Sequence, residues 1–118
     1  MNEGRFLPCP DRPNCVSSRA SDSSRYVAPL AYEGERDQAW LRLEAVVRAI
    51  ERAEVVENTG VYLRVTFESR LFGFVDDMEF QIDPPSRLIH MKSASRTGYY
   101  DLGVNRRRCE DIRERFQQ

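Results

Sequence analysis

The sequence predicts an α+β domain. A mostly antiparallel sheet of three to five strands packs on one long helix, with a C-terminal helix and an irregular Pro/Ser-rich N-terminal arm. Three observations predict it. One segment places apolar residues at helical steps, the segments after it alternate as strands do, and the last returns to helical steps. The chain has 118 residues, enough for one domain. The division this implies is an arm over residues 1–25 and a single α+β domain over 26–118.

The arm reads CPDRPNCVSSRASDSS from Cys9 to Ser24. Its prolines fix backbone angles and its small polar residues favour turns. Tyr26 to Leu30 reads as a short extended segment that Pro29 confines to a sheet edge. Arg36 to Ala53 reads as a helix, because Trp40, Leu43, Val47 and Ile50 follow steps of three and four. Asp37 suits its N-cap.

Strands follow. Val55-Val56 suggests a short one before the Asn58-Thr59-Gly60 turn. From Val61 to Ser69, Val61, Leu63, Val65 and Phe67 share one face, and Tyr62, Arg64, Thr66 and Glu68 the other. Phe72 to Asp83 alternates with Phe72, Phe74, Met78, Phe80 and Ile82 on its apolar face. After the Asp83-Pro84-Pro85-Ser86 turn, Leu88 to Ser95 returns. A terminal helix runs from about Arg106 to Phe116 behind Asn105 as N-cap, with Cys109, Ile112 and Phe116 as its apolar stripe.

The second hairpin has a predictable register. A loop over 84–87 sets Ile82 opposite Ile89, Phe80 opposite Met91, Met78 opposite Ser93 and Asp76 opposite Ser95. Glu79 then faces Lys92, a cross-strand pair worth about 0.2–1 kcal/mol. A slip of one residue would turn the apolar set outward. In this register Asp76 lies on the face that meets the helix. An unpaired carboxylate there is strongly disfavoured, so it needs a cation, a donor cluster or a pocket open to water.

Composition narrows the function. Hydrophobic residues make up 41% and charged residues 31%, a globular rather than disordered balance. No apolar run approaches the roughly 18 residues of a membrane span. The formal charge of −1 argues against a broad polyanion-binding surface, and hence against nucleic acid as partner. Seventeen of the eighteen basic residues are arginine. Between Lys92 and Arg108 five basic residues meet one acid, Asp101, so the near-neutral total hides a basic segment. The start, MNEGRFLPCP, lacks a basic region followed by an apolar core, so the expectation is a cytoplasmic protein or the trimmed form of an exported one, with Met1 favouring the former. Nothing in the sequence signals an oligomeric state.

The main candidate site gathers Asp76, Asp77, Ser93, Ser95, Arg96, Tyr99, Asp101, Asn105, Arg106, Arg107 and Arg108. Arginine forks and helix amides suit a carboxylate or phosphate group. The three arginines open a helix, where the dipole disfavours cations by some tenths of a kcal/mol each. The same groups suit a structural network in which acids and arginines fasten the terminal helix to the sheet.

Cys9 and Cys15 close a small ring. As a disulfide it would stabilise by about 2–2.5 kcal/mol from loop-closure entropy. As thiols, the pair would pin the arm by burial. A zinc site would have to recruit Cys109 and His90 as well, at a spacing unlike the usual one, so no metal is expected. His90, the only histidine, falls on the opposite face from Asp76 and the serines, away from any Ser-His-Asp arrangement. There is no Gly-rich phosphate loop, paired-histidine motif or dinucleotide fingerprint, so no cofactor is expected.

Three stretches, LPCPDRPNCVSS (Leu7 to Ser18), LFGFVDDMEF (Leu71 to Phe80) and KSASRTGYYDLGVNRRR (Lys92 to Arg108), resemble the signature blocks of the family called domain of unknown function 1499. The resemblance runs from about Leu7 to Phe116. The matching motif positions include Cys9, Asn14, Cys15, Asp76, Asp77, Ser93, Ser95, Arg96, Asp101, Asn105 and Arg106 to Arg108. The resemblance implies no assigned activity and no catalytic residues. It implies relatives in bacteria and photosynthetic eukaryotes that are often exported, membrane-anchored or plastid-targeted.

The function expected from these residues is a non-catalytic binding module for a small anionic or polar ligand, or a partner's carboxylate. One alternative is a small hydrolase or transferase using Asp76, Ser95 or Tyr99. The other is a protein-interaction domain docking through its N-terminal arm.

Overall fold

The computed structural model describes residues 6–118. The first five residues of the expected arm lie outside that range. Six strands form one antiparallel sheet: β1 (Cys15–Ser17), β2 (Leu30–Ala31), β3 (Ala53–Asn58), β4 (Tyr62–Glu68), β5 (Val75–Asp83) and β6 (Leu88–Ser95). Their order is β1-β6-β5-β4-β3, with β2 also paired to β6. Two helices, α1 (Arg36–Arg48) and α2 (Val104–Phe116), of 13 residues each, supply buried side chains to the core over one face of the sheet.

The hairpin register is as the residues predict. Ile82 pairs with Ile89, Phe80 with Met91, Met78 with Ser93, Glu79 with Lys92 and Asp76 with Ser95. Leu63, Val65 and Phe67 extend the same face across β4. On α1, Ala39, Trp40, Leu43 and Val47 are buried against it; on α2, Cys109, Ile112 and Phe116 are.

Several expectations need correction. The sheet has six strands, not three to five, because both free halves of the β6 edge are paired: Cys15–Ser17 covers one and Leu30–Ala31 the other. Such short strands carry too little alternation to be read from sequence. The arm is therefore not wholly irregular, since Asn14 to Ser18 is buried and β1 belongs to the sheet. Both expected helices are present, but α1 is no longer than α2. Helix α1 ends at Arg48, not Ala53, because Arg52 turns to φ 64° and Ala53 joins the edge of β4. Its N-cap is Glu35 without a side-chain cap bond, while Asp37 sits in the first turn, where the dipole favours an acid. Helix α2 begins at Val104 with Gly103 at the cap, so Asn105 lies inside it. Phe72 and Phe74 are exposed, not on the apolar face, because Gly73 adopts φ 68° and β5 starts only at Val75.

Candidate functional site

Strand alternation makes Asp76 face the helices, and only 9% of it is exposed. Its Oδ2 accepts a hydrogen bond from Arg108 Nη1 at 2.8 Å. The same guanidinium lies over the Phe67 ring at 4.5 Å, on the strand beside Asp76. The inward carboxylate is thus answered by a cation that is itself stacked on an aromatic face.

Asn105, fully buried in the first turn of α2, is the centre of this network. Its Oδ1 accepts from Ser93 Oγ at 2.5 Å and from Arg108 Nη1 at 3.3 Å. Its two Nδ2 hydrogens are shared among Ser95 Oγ at 2.9 Å, Asp101 Oδ2 at 2.8 Å and the Asn14 carbonyl at 3.2 Å. Asn14 also accepts from the Ser95 amide at 3.0 Å and donates to the Gly98 carbonyl at 2.5 Å. One side chain therefore ties β6, the 96–103 loop, α2 and the segment before β1.

Asp101 takes the place a bound anion would occupy at the start of α2. Its carboxylate accepts from the Gly103 amide at 2.9 Å and the Asn105 amide at 3.1 Å. Burial pushes its pKa up, but the hydrogen bonds from Asn105 and Gly103 outweigh this and hold it below its ordinary value.

The other predicted residues are dispersed. Asp77 points to the opposite sheet face, bound by Arg96 Nε at 2.7 Å and Arg64 Nη1 at 3.3 Å. Those Arg96 hydrogen bonds keep its pKa low against burial. Arg106 reaches the arm, donating to the carbonyls of Tyr26 at 2.7 Å and Ser24 at 2.8 Å. Arg107 donates to the Leu102 carbonyl at 3.0 Å. Tyr99 is exposed and meets the edge of Tyr100. The four arginines thus serve four different places, and no single guanidinium cluster forms. Cys9 and Cys15 are joined by a disulfide, which closes the ring that holds Asn14.

Beside the Asp76–Arg108 pair lies a cleft of about 380 Å³ between the 69–74 loop and the 96–103 loop. Asp76, Ser95, Asp101 and Arg108 reach it, with Ser69 and Thr97 at its sides. Phe74, Tyr100, Leu102 and Val104 form its apolar walls. The residues singled out as a site in the sequence include neither those walls nor Thr97, and Asn14 stands out there only as a motif position. The signal was there in part, as loop 96–104 carries two tyrosines and two glycines in nine residues.

His90 belongs to the other sheet face. Its Nδ1 lies 2.8 Å from Ser18 Oγ, which also accepts from the Met91 amide at 2.9 Å. Ser18 thus straps the end of β1 to β6, and burial chiefly lowers the His90 pKa. Among the described residues no three His, Cys, Asp or Glu side chains gather as metal ligands. No helix among them is long and apolar enough to cross a membrane.

The fold and site define a small α+β domain with an amphipathic cleft at one end of an antiparallel sheet, braced by a buried polar network. The chain belongs to the family described as Protein of unknown function (DUF1499), whose match covers residues 5–116. No curated protein and no solved structure matches it.

Proposed function

We propose that the domain is a non-catalytic binding module whose ligand seats a polar head on the Asp76–Arg108 pair and an apolar body between the two loops. The observation that carries this reading is the ion pair at the floor of a cleft walled by Phe74, Tyr100, Leu102 and Val104. Asp76 keeps one carboxylate oxygen, and Arg108 keeps Nε and Nη2, out of any hydrogen bond among the described residues. Ser95 accepts from Asn105 and keeps its own proton to donate. The floor thus offers acceptors and donors together, and it holds two carboxylates against one guanidinium. That balance favours a neutral, hydroxylated or zwitterionic head over a simple anion.

The hydrolase reading is less well supported. No hydrogen bond joins Ser95 to Asp76, and Tyr99 does not line the cleft. In the arm, the Ser24 carbonyl accepts from Arg106 and the Leu7 carbonyl from Lys92, so at these two points the arm is tied to the domain rather than offered to a partner.

Amide NMR with octyl glucoside below its micelle concentration tests the proposal. Saturable shifts confined to Thr97, Gly98, Tyr100 and Val104, and weakened several-fold by Tyr100→Ser, are expected. Inorganic phosphate should leave those amides unmoved. The reading fails if octyl glucoside moves none of them; shifts at residues 106–108 with phosphate would favour the anionic ligand.

A further inference from the structure

The two loops that flank the cleft present an apolar surface that continues beyond the cleft walls. Leu71 is 81% exposed, Phe72 74%, Tyr100 76% and Leu102 86%, with Tyr99 beside them. Leu71 and Phe72 form the tip of one loop, and Tyr99, Tyr100 and Leu102 the other. The loops adjoin, since Phe74 of one and Tyr100 and Leu102 of the other wall the same cleft. Isolated exposed leucines are ordinary, but a contiguous set at one end of a domain marks an interaction surface.

Leu102 strengthens the point. It holds φ 55°, a left-handed conformation that costs a non-glycine residue energy, while its side chain gains no burial. Sequence economy would place glycine or asparagine there. A strained residue that displays leucine to solvent suggests an apolar partner at that position.

We propose that this end of the domain docks peripherally on an anionic lipid surface, the two loop tips entering the headgroup layer. Three features favour a bilayer over a protein partner. The apolar side chains sit on projecting tips, whereas protein hot spots sit in enclosed, well-packed pockets. They are Leu, Phe and Tyr, the residues suited to the apolar–polar boundary of a membrane. Exposed Arg70 and Arg107 flank the tips, while Arg96 is held by Asp77; the acids of the same two segments are Glu68, which is exposed, and Asp101, which is engaged at the start of α2. Arg70 directly precedes Leu71 and makes no ion pair among the described residues, which leaves it free for phosphate-bearing headgroups. Apolar tips together with flanking cations supply the two signals that stable peripheral binding requires. The inference rests on the exposed tips and stands whether or not the cleft takes a ligand.

Co-sedimentation of the full chain with vesicles tests it. Vesicles of phosphatidylcholine with phosphatidylglycerol should pull the protein down, and pure phosphatidylcholine vesicles should do so several-fold less. The L71S/F72S double variant, whose altered side chains lie outside the cleft lining, should lose about tenfold or more in partition while melting at the wild-type temperature. R70Q should weaken binding to the anionic vesicles, and so should raised salt. Thr97→Val, which alters the cleft alone, should leave vesicle binding unchanged, so failure here and failure of the cleft reading are separable. The proposal is overturned if the wild-type protein stays in the supernatant with anionic vesicles. It is also overturned if L71S/F72S binds as well as wild type, or if sedimentation shows the tips closing a dimer that ignores lipid.

Discussion

Arg108 Nη1 sits 2.8 Å from Asp76 Oδ2, and this contact joins the last helix to the middle of the sheet. Both side chains are largely shielded, 19% and 13% exposed, so the pair is screened less than a surface ion pair. Removing either partner strands the other. Asp76→Ala or Arg108→Ala should each lower unfolding free energy by about 2–4 kcal/mol in urea titration. The double variant should cost less than the sum of the two. Strictly additive losses would show that the contact carries no coupling.

Asn105 makes five hydrogen bonds that hold four segments together. Its replacement by alanine leaves Ser93, the Asn14 carbonyl and Asp101 without that partner. Asn105→Ala should cost about 3 kcal/mol or more, whereas Asp101→Ala, which removes the two cap contacts and one of the Asn105 side-chain contacts, should cost less, about 1–2 kcal/mol. Denaturant melts of the two variants check the order. An Asn105→Ala protein as stable as wild type contradicts the role given to it.

The disulfide and the third cysteine should behave differently. Reducing Cys9–Cys15, or replacing both by serine, should cost about 2–2.5 kcal/mol from loop-closure entropy. Burial pushes the Cys109 thiol up to about 12, so it should resist iodoacetamide in the folded protein and react only after unfolding. Mass spectrometry of alkylated samples reads both.

His90 sets a pH dependence. Burial chiefly, and the Arg19 charge next, lower its pKa below the ordinary 6.5, with Asp83 opposing. Ser18 Oγ, which accepts from the Met91 amide, retains a proton that the neutral Nδ1 can accept at 2.8 Å. The unfolded chain therefore binds the proton first as pH falls. The stabilisation is complete above pH 6.5 and is lost as pH drops through that value toward the folded pKa. His90→Gln should flatten this part of the stability–pH curve. An unchanged curve would mean the imidazole is already solvated. A second loss, at more acidic pH, should follow as Asp77 and Asp101, both held below their ordinary 3.8, take up protons.

Much of the sheet was legible because its side chains obey a two-residue period with a buried face. Ile82, Phe80, Met78 and Asp76 could be registered against β6 from the Pro84-Pro85 turn alone, and the inward turn of Asp76 followed from that phase. The same rule misplaced Phe72 and Phe74. They stay in phase with β5, and periodicity does not reveal that Gly73 breaks the strand with a positive φ. The arginines were legible as a cluster in sequence but not in space. Side chains that long reach acceptors on the arm, the opposite sheet face and the preceding loop. Asn105 read as a cap because its residue type fits one; Asp101 provides the capping bonds from two positions before Gly103.

The measurement that bears most directly on the account is octyl glucoside binding to an Asp76→Leu/Arg108→Met double variant. Replacing both partners together by apolar side chains leaves no stranded charge, so the protein should stay folded, with stability near wild type. The two replacements also remove the donors and acceptors of the cleft floor while leaving Phe74, Tyr100, Leu102 and Val104 as walls. The account predicts a folded protein whose affinity for the probe falls at least about tenfold. A folded double variant that binds octyl glucoside as wild type does would contradict it.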